Sequence, residues 1–433
     1  RDLKPEEAID SFRKALELKP HYVDAQFNLA NTYKEQGQLE EAKETYQLVL
    51  SQQPNHIGAT VNLAVIMGWE GNFTDALDLL KRAEAEDASN YVLQNNLGMI
   101  YHLLQNFEAA KNHYQKALQL NDNPEVRWNL ALTCLAEGDF AEGFRLFESR
   151  WQIPHLNAGV KRNFTRREWK GENITGKTLL VYFEQGYGDA IQFCRFLPSM
   201  LNKGASVILQ VPQALKALME TLDERLQIIT DVNEAGDFDY HCSLMSLAGN
   251  LRVKLNTIPA EVPYFHVAKS NSVTEITAPQ GVLKVGVVWA GNPRAHDVQT
   301  NMIDRRRSCD PQLFEEMANS ENVNLYSLQF DRKPPLGSKI IDAMQGVSDF
   351  KQTAEIIQQL DLVISVDTAV AHLAGALGKP VWLLSRYDAC WRWMKGRDDS
   401  PWYPSMKIYR QLEPGDWQPV FEEVKQALEN YQV

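Results

Sequence analysis

The sequence has 433 residues, 44% hydrophobic and 23% charged, with no low-complexity tract. That length is too great for one ordinary core and suits about three domains. Its net charge of −12 argues against nonspecific nucleic-acid binding, which relies on basic surface, and no apolar run reaches the roughly 18 residues of a membrane span. The five cysteines (Cys134, Cys194, Cys242, Cys309 and Cys390) are scattered without a CxxC pair. They argue against a disulfide framework or a structural zinc site and fit a reducing cytoplasm. The chain opens inside a helical pattern at Arg1, without a cationic-then-apolar leader, and reads as a fragment with more chain expected upstream.

The first 150 residues or so repeat. "NLANTYKEQGQLEEAKETY" from Asn28, "NLAVIMGWEGNFTDALDLL" from Asn62, "NLGMIYHLLQNFEAAKNHY" from Asn96 and "NLALTCLAEGDFAEGFRLF" from Asn129 follow one another at steps of 34, 34 and 33 residues. Each unit carries a helical stretch, a turn often marked by glycine (Gly37, Gly71, Gly138) and a second helix with a small residue, Ala42, Ala76, Ala110 or Gly143. Pro20 and Pro54 close two of the units, and "PEEAIDSFRKALELKP" is the second half of an earlier one. Period and signature positions together resemble the tetratricopeptide repeat, a superhelical α array in which each unit buries its apolar face only against its neighbours. In that family the position of Asn28, Asn62, Asn96 and Asn129 points to the concave groove, where an asparagine ladder can hold the backbone of an extended peptide. The competing reading has these asparagines bonding neighbouring helices. Four poor helix formers in register need one reason or the other.

After "ESRWQIP" the period ends, and the basic stretch within residues 151–176 reads as a linker with a solvated charged face. From Lys177 short apolar runs alternate with helical segments, as in β-α-β units around a parallel sheet. One lobe is expected over residues 177–268, with strands at "KTLLVYF", "SVILQV", "LQIIT" and "DFDYHC". A second is expected over 281–415, with strands at "KVGVVWAG", "NLYSLQ", "DLVISVD" and "PVWLLS". An amphipathic helix closes the chain over 416–433. Ligands of such lobes bind beyond the carboxyl ends of the strands. Three segments stand there: "FEQGYGDA", the long loop "AGNPRAHDVQTNMIDRRRS", and "SVDTAVAH".

In the last of these an apolar strand stops at Asp367-Thr368 and resumes as a small-residue helix. Thr368 is expected to cap that helix, leaving first-turn N–H groups, Ala369 among them, as an anion site suited to a diphosphate. His372, one turn on, is placed to donate to the same phosphate or to a sugar. Gly375 and Gly378 allow close packing and a stop before Pro380. The bland alternative is an ordinary cap with a surface histidine. Arg305, Arg306 and Arg307, on the long loop of the same lobe, weigh toward a phosphate clamp.

"ISVDTAVAHLAGALGKPVW" and "QGYGDAIQFCRFLP" resemble segments of the heptosyltransferase-like glycosyltransferases of family nine, and the order of the chain is similar to that of tetratricopeptide proteins carrying such a domain and, in layout, of protein O-GlcNAc transferases. The resemblance implies a GT-B fold and an inverting, metal-independent transfer from a nucleotide-diphosphate sugar to an acceptor, with a protein or peptide held along the repeats as the expected acceptor. It implies no bound cofactor, and a final helix that crosses back to the first lobe. Carried over by position, the donor set is Asn292, Arg305 to Arg307, Gln329, Asp367, Thr368, Ala369 and His372. Asp189 is the first candidate for the base that inverting transfer requires, against a plain helix-capping role. His241 is the second candidate, against an ordinary polar strand end. Asp237 and Asp239 read as strand-edge polarity rather than as a metal motif. Ala369 stands where the family has glycine, which narrows the approach to phosphate. Tyr387, Trp391, Trp393 and Trp402 are expected to pack between the lobes rather than stack on a nucleobase. Two rivals remain at this point: transfer to a glycan or small molecule with the repeats serving assembly, and a repeat scaffold without activity. A nicotinamide-dependent dehydrogenase is disfavoured because no GxGxxG follows a strand.

Overall fold

The repeat period becomes helices with tight turns between them. A computed structural model describes residues 4–157, 164–268, 273–294, 297–318 and 322–431. Nine helices lead the chain among these residues: α1 (Pro5–Leu18), α2 (Val23–Glu35), α3 (Leu39–Gln52), α4 (Ile57–Glu70), α5 (Phe73–Glu86), α6 (Tyr91–Leu103), α7 (Phe107–Leu120), α8 (Pro124–Glu137) and α9 (Phe140–Phe147). Gly37, Gly71 and Gly138 turn the chain with φ of 74°, 91° and 96°. Left-handed backbone of this kind costs glycine little and ends a helix sharply. In the third full unit Gln105 takes that role at φ 57°. Ala42, Ala76 and Ala110 are fully buried where paired helices touch. A Cβ on Gly143 would sit 2.7 Å from the Leu135 side chain, which is why that unit has glycine.

The chain divides into two units. One holds residues 1–134 with 293–306, and the other holds 135–292 with 307–433. In the first, Leu29, Tyr33, Tyr46 and Leu63 form one core and Ala64, Leu80, Leu97 and Ile100 another, as expected of stacked repeats. Most of α15 (Val298–Arg307) belongs to this unit. The sequence reads this segment as part of a long loop after a strand. It is a helix because Asp297 accepts from Thr300 N–H at 2.9 Å and caps it, Val298 packs at Gly37, and Arg306 donates to the Trp69 carbonyl.

The second unit begins with the end of α8, then α9, a 3-10 turn at Glu148–Gln152 and α10 (Pro154–Asn157). The expected linker lies partly outside the described residues, at 158–163. The first lobe is a parallel sheet of β1 (Arg167–Glu168), β2 (Thr178–Tyr182), β3 (Ser206–Gln210), β4 (Gln227–Ile229) and β5 (Tyr240–Ser243), in the order β1-β5-β2-β3-β4. Its helices are α11 (Tyr187–Phe193), α12 (Leu197–Asn202), α13 (Gln213–Met219) and α14 (Leu247–Asn250). The second lobe is a parallel sheet of β6 (Leu283–Val288), β7 (Val323–Ser327), β8 (Ile341–Asp342), β9 (Leu362–Val366), β10 (Val381–Ser385) and β11 (Met406–Arg410), in the order β11-β10-β9-β6-β7-β8. Its helices are α16 (Gln312–Ala318), α17 (Phe350–Gln358), α18 (Ala369–Ala376) and α19 (Gln418–Glu429). Strands covered on both faces read as unbroken apolar runs, and β9 and β10 are buried throughout.

The closing helix corrects the expected return to the first lobe. The Val420, Phe421, Val424 and Leu428 side chains of α19 join the core of the second lobe, with Phe421 edge-on to Phe314 at 4.8 Å. Its single apolar stripe is spent on that core.

Candidate active site

In each sheet the strand order reverses once, and crevices at the carboxyl ends of strands open at such switch points. In the second lobe the switch lies between β6 and β9, so the loops from Trp289 and from Asp367 part there. Gln329 holds the first loop: its side chain accepts from Ala290 N–H at 3.2 Å and donates to Ala290 O at 2.9 Å. That amide is thereby committed to the protein backbone instead of projecting as a ligand. Asn292 is exposed beyond it. Arg307 donates to the Asp367 carbonyl at 3.1 Å and so stands at the start of α18, whereas Arg305 is exposed and Arg306 bonds within the repeat unit. The three arginines lie on one helix, α15.

Thr368 precedes α18 in extended backbone, but its side chain does not cap the helix. The hydroxyl lies 3.0 Å from Ser365 Oγ. The first-turn amides of α18, including that of Ala369, are thus left without a side-chain cap at the helix's positive end. His372 departs from expectation. It is 4% exposed, Nδ1 lies 2.9 Å from Tyr403 Oη, and the ring stacks on Trp393 at 5.2 Å. Burial pushes its pKa down to about 3, so it is a neutral imidazole within the interface between the lobes. Gly375 lets α18 approach Tyr403, whose ring would lie 2.6 Å from an added Cβ.

Across the crevice, the first lobe presents the loop between β2 and α11. A Cβ on Gly188 would lie 3.3 Å from Ala369 Cα and 2.9 Å from His372 Cδ2, so α11 and α18 meet almost backbone to backbone. Asp189 accepts from Gly186 N–H at 2.9 Å with one carboxylate oxygen and from Arg392 with the other. Arg392 also donates to Gln192 at 2.6 Å and lies over the Trp391 ring. Burial works most strongly against its charge, but Asp189, Cys390 and Asp367 together hold the guanidinium above its ordinary pKa. His241 does not end its strand, since β5 runs on to Ser243. Its ring packs on Phe164 at 4.7 Å and Tyr182 at 6.1 Å, and burial lowers its pKa. It is a sheet-face residue set back from the crevice. Asp239 accepts from Thr178 N–H at the amino end of β2, opposite the carboxyl ends.

Trp391, Trp393 and Trp402 are buried and Tyr387 half-buried, with Trp402 stacked on Phe140 of α9 at 5.8 Å. Arg195 ties the lobes by donating to Trp402 O at 2.7 Å and to Pro259 O at 3.1 Å. None of Arg392, Arg195, Arg150 and Glu184 is a candidate site residue on the sequence alone. The available signal was a charged residue lodged in an apolar run, as in "CWRWMK".

Within the repeat unit the four asparagines diverge. Asn62 donates to Asn31 at 2.8 Å and accepts from Lys34 at 2.8 Å, and Asn129 donates to Asn95 at 3.1 Å. These are bonds between neighbouring repeats. Asn96 is buried and bonds its own helix at Val92 O, and only Asn28 is exposed. The four do not form a uniform ladder.

Comparison with known proteins places families on this layout. Residues 4–60, 91–124 and 124–149 match tetratricopeptide repeat families, and residues 339–391 match glycosyltransferase family 9 (heptosyltransferase). That last match contains β9, α18 and β10, one wall of the crevice, and stops short of Arg307, Gln329 and Asp189. Protein FlbA of Caulobacter vibrioides is 25% identical over 364 residues, 75% of this chain and 59% of its own length, so the chain spans well under two thirds of that relative. Among solved structures, a thermophilic TPR protein of Thermus thermophilus is 26% identical and matches 35% of this chain and 84% of its own, with a TM-score of 0.32. A tetratricopeptide repeat protein of Parabacteroides merdae is 24% identical and matches 35% of this chain and 60% of its own, with a TM-score of 0.31. The chain carries tetratricopeptide repeats followed by a glycosyltransferase family 9 domain of α/β architecture. No helix among the described residues is long and apolar enough to cross a membrane.

Proposed function

We propose that this chain, repeats joined to a glycosyltransferase family 9 domain, is an inverting glycosyltransferase that takes a sugar from a nucleotide-diphosphate donor held by the second lobe. The observation that carries the reading is the convergence at the β6–β9 switch of the uncapped start of α18 with Arg307 at Asp367, facing Asp189 from the other lobe. In the proposed reaction the acceptor oxygen or nitrogen attacks the anomeric carbon and its proton passes to Asp189. The bond to the diphosphate breaks, and the charge left on the phosphate is met by Arg307 and the α18 amides, without a metal. A carboxylate offers about four lone-pair positions, and Asp189 uses two on Gly186 and Arg392, which leaves room for the acceptor's proton.

The acceptor we propose is a protein or peptide engaged through the repeats, in a reducing cytoplasm where the free cysteines stay reduced. A second reading, transfer to a glycan or small molecule with the repeats used for assembly, draws support from the bonding of Asn62 and Asn129 to neighbouring repeats.

The test is thermal shift with UDP, GDP, ADP, dTDP and CMP, on the chain and on Arg307→Ala. A ligand at 100 times its dissociation constant adds about 2.7 kcal/mol. One diphosphate is expected to stabilise the chain and to lose most of that effect in the variant. No shift with any of them would sink the donor-site reading.

A further inference from the structure

We propose that Arg150 is a positioning residue for the loop of residues 184–189, the acceptor-side wall of the crevice, and that it acts through Glu184. The loop's role in turnover rests on the proposed glycosyltransferase function.

Arg150 lies on the 3-10 turn after α9 and is 1% exposed. Its Nε and Nη2 donate as a fork to the two oxygens of Glu184 at 2.6 and 2.9 Å. Nη2 also donates to Ser246 at 2.8 Å, and Nη1 donates to Glu148 at 2.7 Å and to Phe147 O at 3.1 Å. The guanidinium lies over the rings of Phe147 at 4.7 Å and Trp151 at 4.5 Å. Edges and faces are all engaged, which only the planar fork of arginine permits.

Glu184 is 2% exposed and stands just past β2 at the switch between β2 and β5. Besides Arg150 it accepts from Ser243, the last residue of β5, and from Gln185 at 3.3 Å. A buried carboxylate is costly unless paired and hydrogen-bonded, so a core has no need of one here. The turn that Glu184 leads into supplies the reason. Gln185 adopts φ 66°, a left-handed turn without glycine, and aims the chain so that Gly186 N–H meets Asp189 and Gly188 meets α18. Strained turns of this kind persist only where the surroundings over-determine them. Glu184 anchors one end of the turn through Arg150, and Asp189 anchors the other through Arg392.

The experiment uses the full chain with Arg150→Lys, Arg150→Met, Glu184→Gln and Ser243→Ala. Hydrogen exchange is followed in residues 183–193, with 362–376 as control. Amides of the 185–189 turn are expected to exchange about 10-fold faster in Glu184→Gln and Arg150→Met, with the control segment within about 2-fold. In parallel, turnover of whichever nucleotide sugar binds is expected to fall about 10-fold to 100-fold in kcat, with the donor KM within about 2-fold, and to recover in part in Arg150→Lys. If Arg150→Met does not fold, Glu184→Gln and Ser243→Ala, which remove a charge or a single hydroxyl, decide the matter. Unchanged exchange in the turn, or kcat and KM moving together, overturns the proposal. If no nucleotide sugar binds, the transferase reading fails and the exchange result alone decides whether Arg150 positions the loop.

Discussion

Asp189 and Arg392 face each other from opposite lobes, and removing either leaves a different defect. Arg392→Met strands a mostly buried carboxylate, and losing one partner of a buried pair costs about 3–5 kcal/mol. Urea unfolding is expected to register a loss in that range. Asp189→Asn keeps an acceptor for Gly186 N–H but removes the basic oxygen. Turnover should fall by about 100-fold or more while the nucleotide-induced thermal shift persists, and a variant of near-normal activity would remove Asp189 from the proposed chemistry. His372 gives a pH prediction with a definite sign. Its folded pKa of about 3 lies below the ordinary value of 6.5. The unfolded chain therefore takes up a proton as pH falls through 6.5 while the folded chain does not, and stability is lost on acidification down to about pH 3. The loss approaches about 1.4 kcal/mol per pH unit for one such group. Urea midpoints measured from pH 7 to pH 5 should fall less steeply in His372→Gln than in the parent.

At the scale of elements, α18 is legible in advance because its small residues and the break at Asp367-Thr368 are local features. Gly375→Ala tests why they are small. Alanine gains about 1 kcal/mol of helix propensity, but its Cβ would meet the Tyr403 ring at 2.6 Å, and overpacking costs about 1–3 kcal/mol. The clash should prevail, because Tyr403 is fully buried and bonded to His372. A lowered unfolding midpoint is the expected result, and a raised one would mean the ring moves freely. The helix α15 was not legible. Its few apolar residues form no clear stripe, and it is ordered by Asp297, Val298 and Arg306, whose partners other than Thr300 lie far off in the chain. The same holds for α19, whose apolar stripe was plain but whose choice of lobe was not.

For the molecule as a whole, the second unit depends on Arg195. This residue lies on the first lobe, is 4% exposed, and supplies carbonyls of Trp402 and Pro259 with their donor. Each buried carbonyl left without a partner costs about 1–3 kcal/mol, so Arg195→Met should lower the unfolding free energy by at least that much. The nucleotide-induced shift should weaken with it, because α11 would no longer be held against α18. The repeats, the two parallel α/β lobes and the segment that opens α18 are legible in the order of residues. A 34-residue period, apolar runs of strand length and a polar break at a strand end are all local patterns. That His372 is buried and neutral, that Gln329 is spent on Ala290, and that the carboxylates of the loop of residues 184–189 are held by Arg150 and Arg392 follows from the folded structure alone. Asp189 and Arg392 stand 203 residues apart and Arg150 and Glu184 34 apart. Charges at such separations find each other only after the sheets have formed, and nothing in the local order of residues records the pairing.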